Sequence, residues 1–284
     1  MILLYSDSCL AYKKDGHAES PDRIGAVAKH LKQLGYIFVT PHPCLLEDVL
    51  LVHSEAHLRN IETGDYSDPD TPALSGILDH ALVAAGSAIQ AAGYAMQGQS
   101  AFSLMRPPGH HATQNKAMGF CYFNNVAIAA ARYLKTNPTH KVAILDFDCH
   151  HGNGTEDIFL GHDKVLYVSL HQRTIFPETG LLSKGNCVNF PLEPDTSDET
   201  YLDVLDRACK NILDFKPNVL GVSAGFDAYQ GDPLSQMQLD SSTFEKIGRK
   251  IKSMQLPVFA VMEGGYSTGL PQCVALFLKG LTEK

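Results

Sequence analysis

The stretch Ile144–Thr155, reading ILDFDCHHGNGT, constrains this chain more than any other. An apolar run, Val142-Ala143-Ile144-Leu145, reads as a buried strand and passes without a break into Asp146, Asp148, His150 and His151. A Gly152-Asn153-Gly154 turn follows. Ionisable groups at the mouth of a buried strand need compensating partners, and a metal ion is the simplest one. Asp-x-His offers a carboxylate oxygen and an imidazole nitrogen, both suited to zinc.

Short apolar runs alternate with helical stretches along the rest of the chain. This pattern predicts an α/β fold of three αβα layers, with a mainly parallel sheet of about eight strands. The strands are expected at Ile2–Tyr5, Ile37–Val39, Ala101–Met105, Val142–Phe147, Val165–Leu170, Val188–Phe190, Val219–Ala224 and Val258–Met262. Helices are expected at Asp22–Leu34, Ile77–Met96, Asn124–Lys135, Ser197–Phe215 and Ser242–Met254, the last two opening on capping residues. No repeat, linker or break in composition divides residues 1–284, so one domain is expected.

Four strands run into polar, glycine or proline clusters: Ala101–Met105 into Arg106-Pro107-Pro108-Gly109-His110-His111, Val142–Phe147 into Asp148-Cys149-His150-His151, Val219–Ala224 into Gly225-Phe226-Asp227, and Val258–Met262 into Glu263-Gly264-Gly265-Tyr266. Ligands bind at the carboxyl ends of parallel strands, so the four clusters are expected to share one site.

The residues suggest roles. Asp148 and His150 are two metal ligands and Asp227 a third, which leaves an open position for water or substrate. His110 and His111 form an imidazole pair for general acid–base work. Asp146 and Asn153 are available to orient them, and the histidine paired with Asp146 should be the more basic. Tyr266 is a hydroxyl donor to a developing oxyanion. Gly119-Phe120 and Phe176-Pro177 are candidate walls of a narrow apolar channel. His171 sits after a strand, near the expected rim.

A net charge of −8 gives no support for nucleic-acid binding. No apolar run is long enough to span a membrane and no signal peptide is seen, so a cytoplasmic location is expected. The seven scattered cysteines, with no Cys-x-x-Cys, read as reduced thiols.

Taken together, Arg106-Pro107-Pro108-Gly109-His110-His111-Ala112, Gly119-Phe120-Cys121-Tyr122-Phe123-Asn124-Asn125, Asp146-Phe147-Asp148-Cys149-His150-His151-Gly152-Asn153-Gly154, Ser223-Ala224-Gly225-Phe226-Asp227-Ala228 and Glu263-Gly264-Gly265-Tyr266 resemble the zinc-dependent histone deacetylase family, of the arginase–deacetylase fold. Asn153 resembles the class II branch and its bacterial relatives. The resemblance implies one zinc ion on Asp148, His150 and Asp227. It implies that His111 activates water and protonates the leaving amine, that His110 is its partner, and that Tyr266 holds the acyl oxygen. It implies a channel for an acyl-lysine side chain lined by Gly119, Phe120 and Phe176. It also implies a potassium ion bound by Asp146 and Ser169 with backbone oxygens of Asp148, His150 and Leu170. Arg23, in the variant segment His17-Ala18-Glu19-Ser20-Pro21-Asp22-Arg23, is implied beside an inner acetate pocket.

Three departures from relatives narrow the reading. Arginases carry an Asp where Gly152 stands, so a binuclear site is not expected. Poor deacetylases of the family carry His where Tyr266 stands. Polyamine-specific relatives can carry a Glu gatekeeper where this chain has Leu234, which offers no charge to a second substrate amine. The expected activity is therefore removal of acetyl or acyl groups from lysine in proteins or peptides. The alternatives are an acetylpolyamine or other small-molecule amidohydrolase, and a weakly active acetyl-lysine-binding module. Cys121, next to Phe120, is a candidate for inhibitory thiol oxidation.

Overall fold

A computed structural model describes residues 1–283. Eight strands form one sheet: β1 Ile2–Leu4, β2 Phe38–Val39, β3 Ala101–Ser103, β4 Val142–Asp146, β5 Val165–Gln172, β6 Cys187–Leu192, β7 Val219–Ala224 and β8 Val258–Met262. Their spatial order is β2-β1-β3-β8-β7-β4-β5-β6, and every pairing is parallel. The nine α-helices found among the described residues are α1 Pro21–Gln33, α2 Leu46–Val49, α3 Glu55–Thr63, α4 Ile77–Met96, α5 Asn125–Thr136, α6 Asn153–Phe159, α7 Asp198–Phe215, α8 Ser241–Ser253 and α9 Leu270–Thr282.

Alternation along the strands builds two cores. In β4, Ala143 and Leu145 face the core covered by α1, α7, α8 and α9, while Val142 and Ile144 face the core covered by α4 and α5. Because both faces are buried, the strand is apolar from Val142 to Leu145, with no polar alternation, and only its last residue, Asp146, is polar. None of the described helices is long and apolar enough to cross a membrane.

Four helices escaped the sequence reading. α2, α3 and α6 are short. α9 is apolar on most sides and packs closely against α8, so it lacks a polar face to mark its period. The expected turn at Gly152-Asn153-Gly154 is instead the start of α6, which opens at Asn153. β5 extends to Gln172, which places His171 inside the strand and buries it. β3 ends at Ser103, earlier than expected, and frees the chain to turn toward the site.

Candidate active site

Strands β3, β8, β7 and β4 are consecutive neighbours in the sheet, so their four carboxyl ends converge. They meet at a cavity of about 220 Å³ lined by residues that include His110, His111, Asp148, His150 and Tyr266. Gly119, Phe120, Phe176 and Leu234 also line it.

The innermost group is Asp148, His150 and Asp227, all buried. His150 Nδ1 lies 3.2 Å from Asp148 Oδ1 and 2.9 Å from Asp227 Oδ2. Against the effect of burial, His110 and His150 hold Asp148 well below the usual carboxylate range. Burial and the negative charge of Asp148 push Asp227 up. Two carboxylates thus compete around one imidazole in a dry site, and a divalent cation satisfies both with the donor types zinc takes. The donors fit such an ion. Cys149 joins the same cluster of potential ligand atoms. Burial pushes its thiol well up, and its backbone N–H donates to Asp227 Oδ1 at 2.8 Å.

The histidine pair is set by two different partners. His110 Nδ1 lies 3.1 Å from Asp146 Oδ2 and His111 Nδ1 lies 2.8 Å from Asn153 Oδ1. Both partner oxygens accept, so both Nδ1 atoms carry hydrogen. Burial alone would lower His110, but Asp146 and Asp148 outweigh it and push it up to about 10. Burial, with His110 and His150 beside it, holds His111 well below the ordinary value. In the metal-free chain these surroundings favour the protonated form of His110 and the neutral form of His111, whose Nε2 then carries no hydrogen.

His110 titrates in the folded state above its unfolded value of about 6.5. Its interactions add stability below about pH 6.5, and this is lost as pH rises through about 10. Imidazole NMR of the metal-free protein should find His110 protonated toward pH 10 while His111 stays neutral. Asp146→Asn should lower the His110 midpoint by roughly 1–3 units; an unmoved midpoint removes Asp146 as its partner.

Gly152 is required by close approach. A β-carbon there would lie 2.2 Å from Asp146 Oδ2 and 2.4 Å from the Tyr167 hydroxyl. The room that an Asp at this position would need is already occupied by Asp146 and Tyr167.

Tyr266 is positioned from behind. Its backbone N–H donates to Asp232 Oδ2 at 2.6 Å, and the Arg23 guanidinium lies 4.4 Å from its ring centroid. Burial keeps the hydroxyl protonated, its pKa raised well above the ordinary value. Arg23 is not among the cavity-lining residues. It donates to the Gly265 carbonyl at 2.6 Å and the Glu263 carbonyl at 2.7 Å, and it pairs with Glu19 at 3.1 Å. Glu19 also receives Arg106, so one buried carboxylate joins the segments that carry Tyr266 and the histidine pair.

Phe120 adopts a φ of 70°, unusual for an aromatic residue, and its N–H is held by the Thr71 hydroxyl at 2.9 Å. Its ring meets Tyr266 edge-on at 5.7 Å. Phe176 meets His111 in the same way at 5.0 Å. Cys121 lies in the lining, yet burial pushes its thiol well above the ordinary value. A buried neutral thiol is a poor target for oxidation, contrary to the expectation from its position.

Ser169 and Asp146 are paired across β5 and β4. His171 Nε2 donates to the Gly180 carbonyl at 3.1 Å, so its Nδ1 is unprotonated and accepts the Ser169 hydroxyl at 2.8 Å. Burial, with His151 beside it, lowers His171 to about 3, consistent with that neutral tautomer. The Ser169 hydroxyl is thus the donor in this contact.

Several residues at the site carried no separate sequence signal. Glu263 accepts from Gly109 N–H at 2.7 Å and His110 N–H at 3.2 Å, which fixes the backbone of the pair. Burial pushes its carboxyl up to about 7. Its place in Glu263-Gly264-Gly265-Tyr266, directly after an apolar strand, was the available clue. Asp232, Tyr167 and Asp70 had none: each meets the site through a loop or strand distant in sequence.

A model of the histone deacetylase domain matches residues 17–281. A probable deacetylase of Methanothermobacter thermautotrophicus is 36% identical, over 99% of this chain and 90% of its own length. Among solved structures, the HDA15 HD domain superposes with a TM-score of 0.91 at 29% identity, over 100% of this chain and 91% of its own. The acetylpolyamine aminohydrolase of Burkholderia pseudomallei does so at 0.87 and 29%, over 99% and 98%. The fold is the arginase–deacetylase fold of these structures. With four strand ends, a buried ligand cluster and a histidine pair in the arrangement described, and with the domain match running over nearly its whole length, the chain belongs to the histone deacetylase family.

Proposed function

We propose that this chain is a zinc-dependent deacylase, one catalytic domain over residues 1–284, acting on the N-ε-acetyl or acyl amide of lysine in proteins or peptides. The observation that carries this is the apolar-walled cavity ending on Asp148, His150 and His111. A lysine stem of methylenes suits the walls formed by Gly119, Phe120, Phe176 and Leu234, and the acyl amide then lies at the polar end.

Asp148, His150 and Asp227 would hold the zinc. When bound, it supplies Lewis-acid chemistry, polarising the acyl oxygen and lowering the pKa of water. His111, neutral with a free Nε2, takes the proton of the attacking water at that atom and returns it to the leaving amine. His110, hydrogen-bonded to Asp146 and with its ring centroid 4.0 Å from that of His111, completes the pair. The Tyr266 hydroxyl donates to the acyl oxygen in the tetrahedral state. Asp146 and Ser169, with backbone oxygens of Asp148, His150 and Leu170, would hold a potassium ion. Arg23 would position the Tyr266 ring. Seven free cysteines, all buried, support a reducing, cytoplasm-like compartment.

A second reading has its own support: hydrolysis of an acetylpolyamine, as the name of the Burkholderia relative describes for that protein. The carboxylate residue Asp70 lines the cavity and could attract a distal amine. Leu234 favours the peptide, since it puts an apolar side chain in the lining. A panel of acyl-lysine peptides and acetylspermidine decides: the peptide should be preferred, and a large preference for acetylspermidine overturns the choice. Leu234→Glu should move the preference toward acetylspermidine about tenfold, the equivalent of roughly 1.4 kcal/mol. Binding of the peptide without turnover by zinc-loaded protein would leave only an acetyl-lysine-binding module.

A further inference from the structure

We propose that His151 and His171 form a clamp that positions the channel wall residue Phe176 and so sets which acyl groups the channel admits. The inference rests on the deacylase reading. It concerns two buried histidines, 2% and 1% exposed, that do not line the cavity and that the proposed reaction does not use. Polar rings at that depth need partners, and theirs lie in the segment that carries Phe176.

Phe176 stands on a tight turn between β5 and β6, closed by the Glu178 N–H on the Ile175 carbonyl at 2.7 Å. The residue is 37% exposed, so packing alone holds it weakly. The exit of the turn is gripped at two points. Thr179 Oγ1 lies 2.8 Å from His151 Nδ1, and the Gly180 carbonyl accepts from His171 Nε2 at 3.1 Å. The two imidazoles lie with their centroids 4.6 Å apart. On the far side His171 Nδ1 takes the Ser169 hydroxyl, while His151 Nε2 lies 3.2 Å from Glu156 Oε2 without forming a hydrogen bond, so Thr179 is the hydrogen-bond partner of the His151 ring.

Gly180 seats the backbone directly on both rings. Its φ is +74°, and a β-carbon there would lie 2.6 Å from the His151 ring and 2.7 Å from His171 Nε2. His151 also follows His150 in sequence. Thr179, three residues past Phe176, is therefore referenced to the ligand cluster through one peptide bond and a hydrogen bond. Since the Phe176 ring packs on His111, a shift of the turn changes the channel width beside the proposed base.

The test uses Thr179→Val, which removes one hydroxyl outside the cavity lining, and Gly180→Ala, which forces the turn off the rings. The readouts are amide hydrogen exchange over residues 173–186, zinc content, melting temperature, and kcat and KM for acetyl- and butyryl-lysine peptides. Exchange in 173–186 should quicken in both variants. The butyryl-to-acetyl ratio of kcat/KM should rise about tenfold or more, mainly through KM, since each methylene in an apolar pocket is worth about 10–200-fold and butyryl carries two more than acetyl. Zinc content should match the parent chain. Unchanged exchange overturns the clamp, and faster exchange with an unchanged ratio overturns its control of the channel. If Gly180→Ala does not fold, Thr179→Val decides alone. A parent chain inactive on every acyl-lysine peptide sinks the deacylase reading, and the exchange measurement still judges the clamp.

Discussion

Tyr266→Phe lowers kcat on an acyl-lysine peptide by about 100- to 1000-fold while zinc content stays that of the parent chain, the usual worth of one oxyanion donor. The substitution removes only the hydroxyl. The ring keeps its place, because its neighbours do not depend on the oxygen: Arg23 lies over one face, Phe120 meets it edge-on, and Asp232 holds the backbone N–H. None of the ligand-cluster residues contacts the hydroxyl through a hydrogen bond in this structure, so the metal is expected to remain. Loss of kcat with KM little changed marks an interaction made only in the transition state. Near-normal turnover removes Tyr266 from the mechanism.

Asp227→Asn empties the metal site. The side chain keeps its size and still offers an oxygen to the Cys149 N–H, so the loop after β7 should hold its shape. What goes is the negative charge 2.9 Å from His150 Nδ1. One carboxylate and one imidazole then remain, fewer than the three protein ligands a catalytic zinc normally keeps. Affinity should fall by more than the 10- to 100-fold typical of outer-shell losses. Metal analysis after dialysis reads this directly, with circular dichroism as the check on folding. Full zinc occupancy in the folded variant disproves the ligand set.

Much of the fold was legible because both faces of the sheet are buried. Strands such as Val219–Ala224 and Val258–Met262 read as continuous apolar runs, and their observed limits are the expected ones. The convergence of strand ends was legible for the same reason: a polar cluster at the end of an apolar run stands out. The spatial order was not legible. β8 lies between β3 and β7, and nothing local in Val258–Met262 specifies those neighbours.

Side chains that act through tertiary contact were the hardest to read. Glu263 reaches back to Gly109 and His110, over 150 residues away in sequence. His151 and His171 become a pair only when β5 packs beside the end of β4. The donors of Arg23 are turned to the carbonyls of Glu263 and Gly265, more than 200 residues away in sequence, and to Glu19, at the threshold of its own helix. Local sequence shows that a buried charge exists; the partner that satisfies it is a property of the packed sheet.

Zinc-dependent deacylation is tested most directly by turnover of an acetyl-lysine peptide before and after chelation, with the metal measured in the same samples. The purified protein should be active, lose activity in step with removal of the metal, and regain it on adding about one equivalent of zinc. Undiminished turnover by protein shown to be metal-free would contradict zinc dependence.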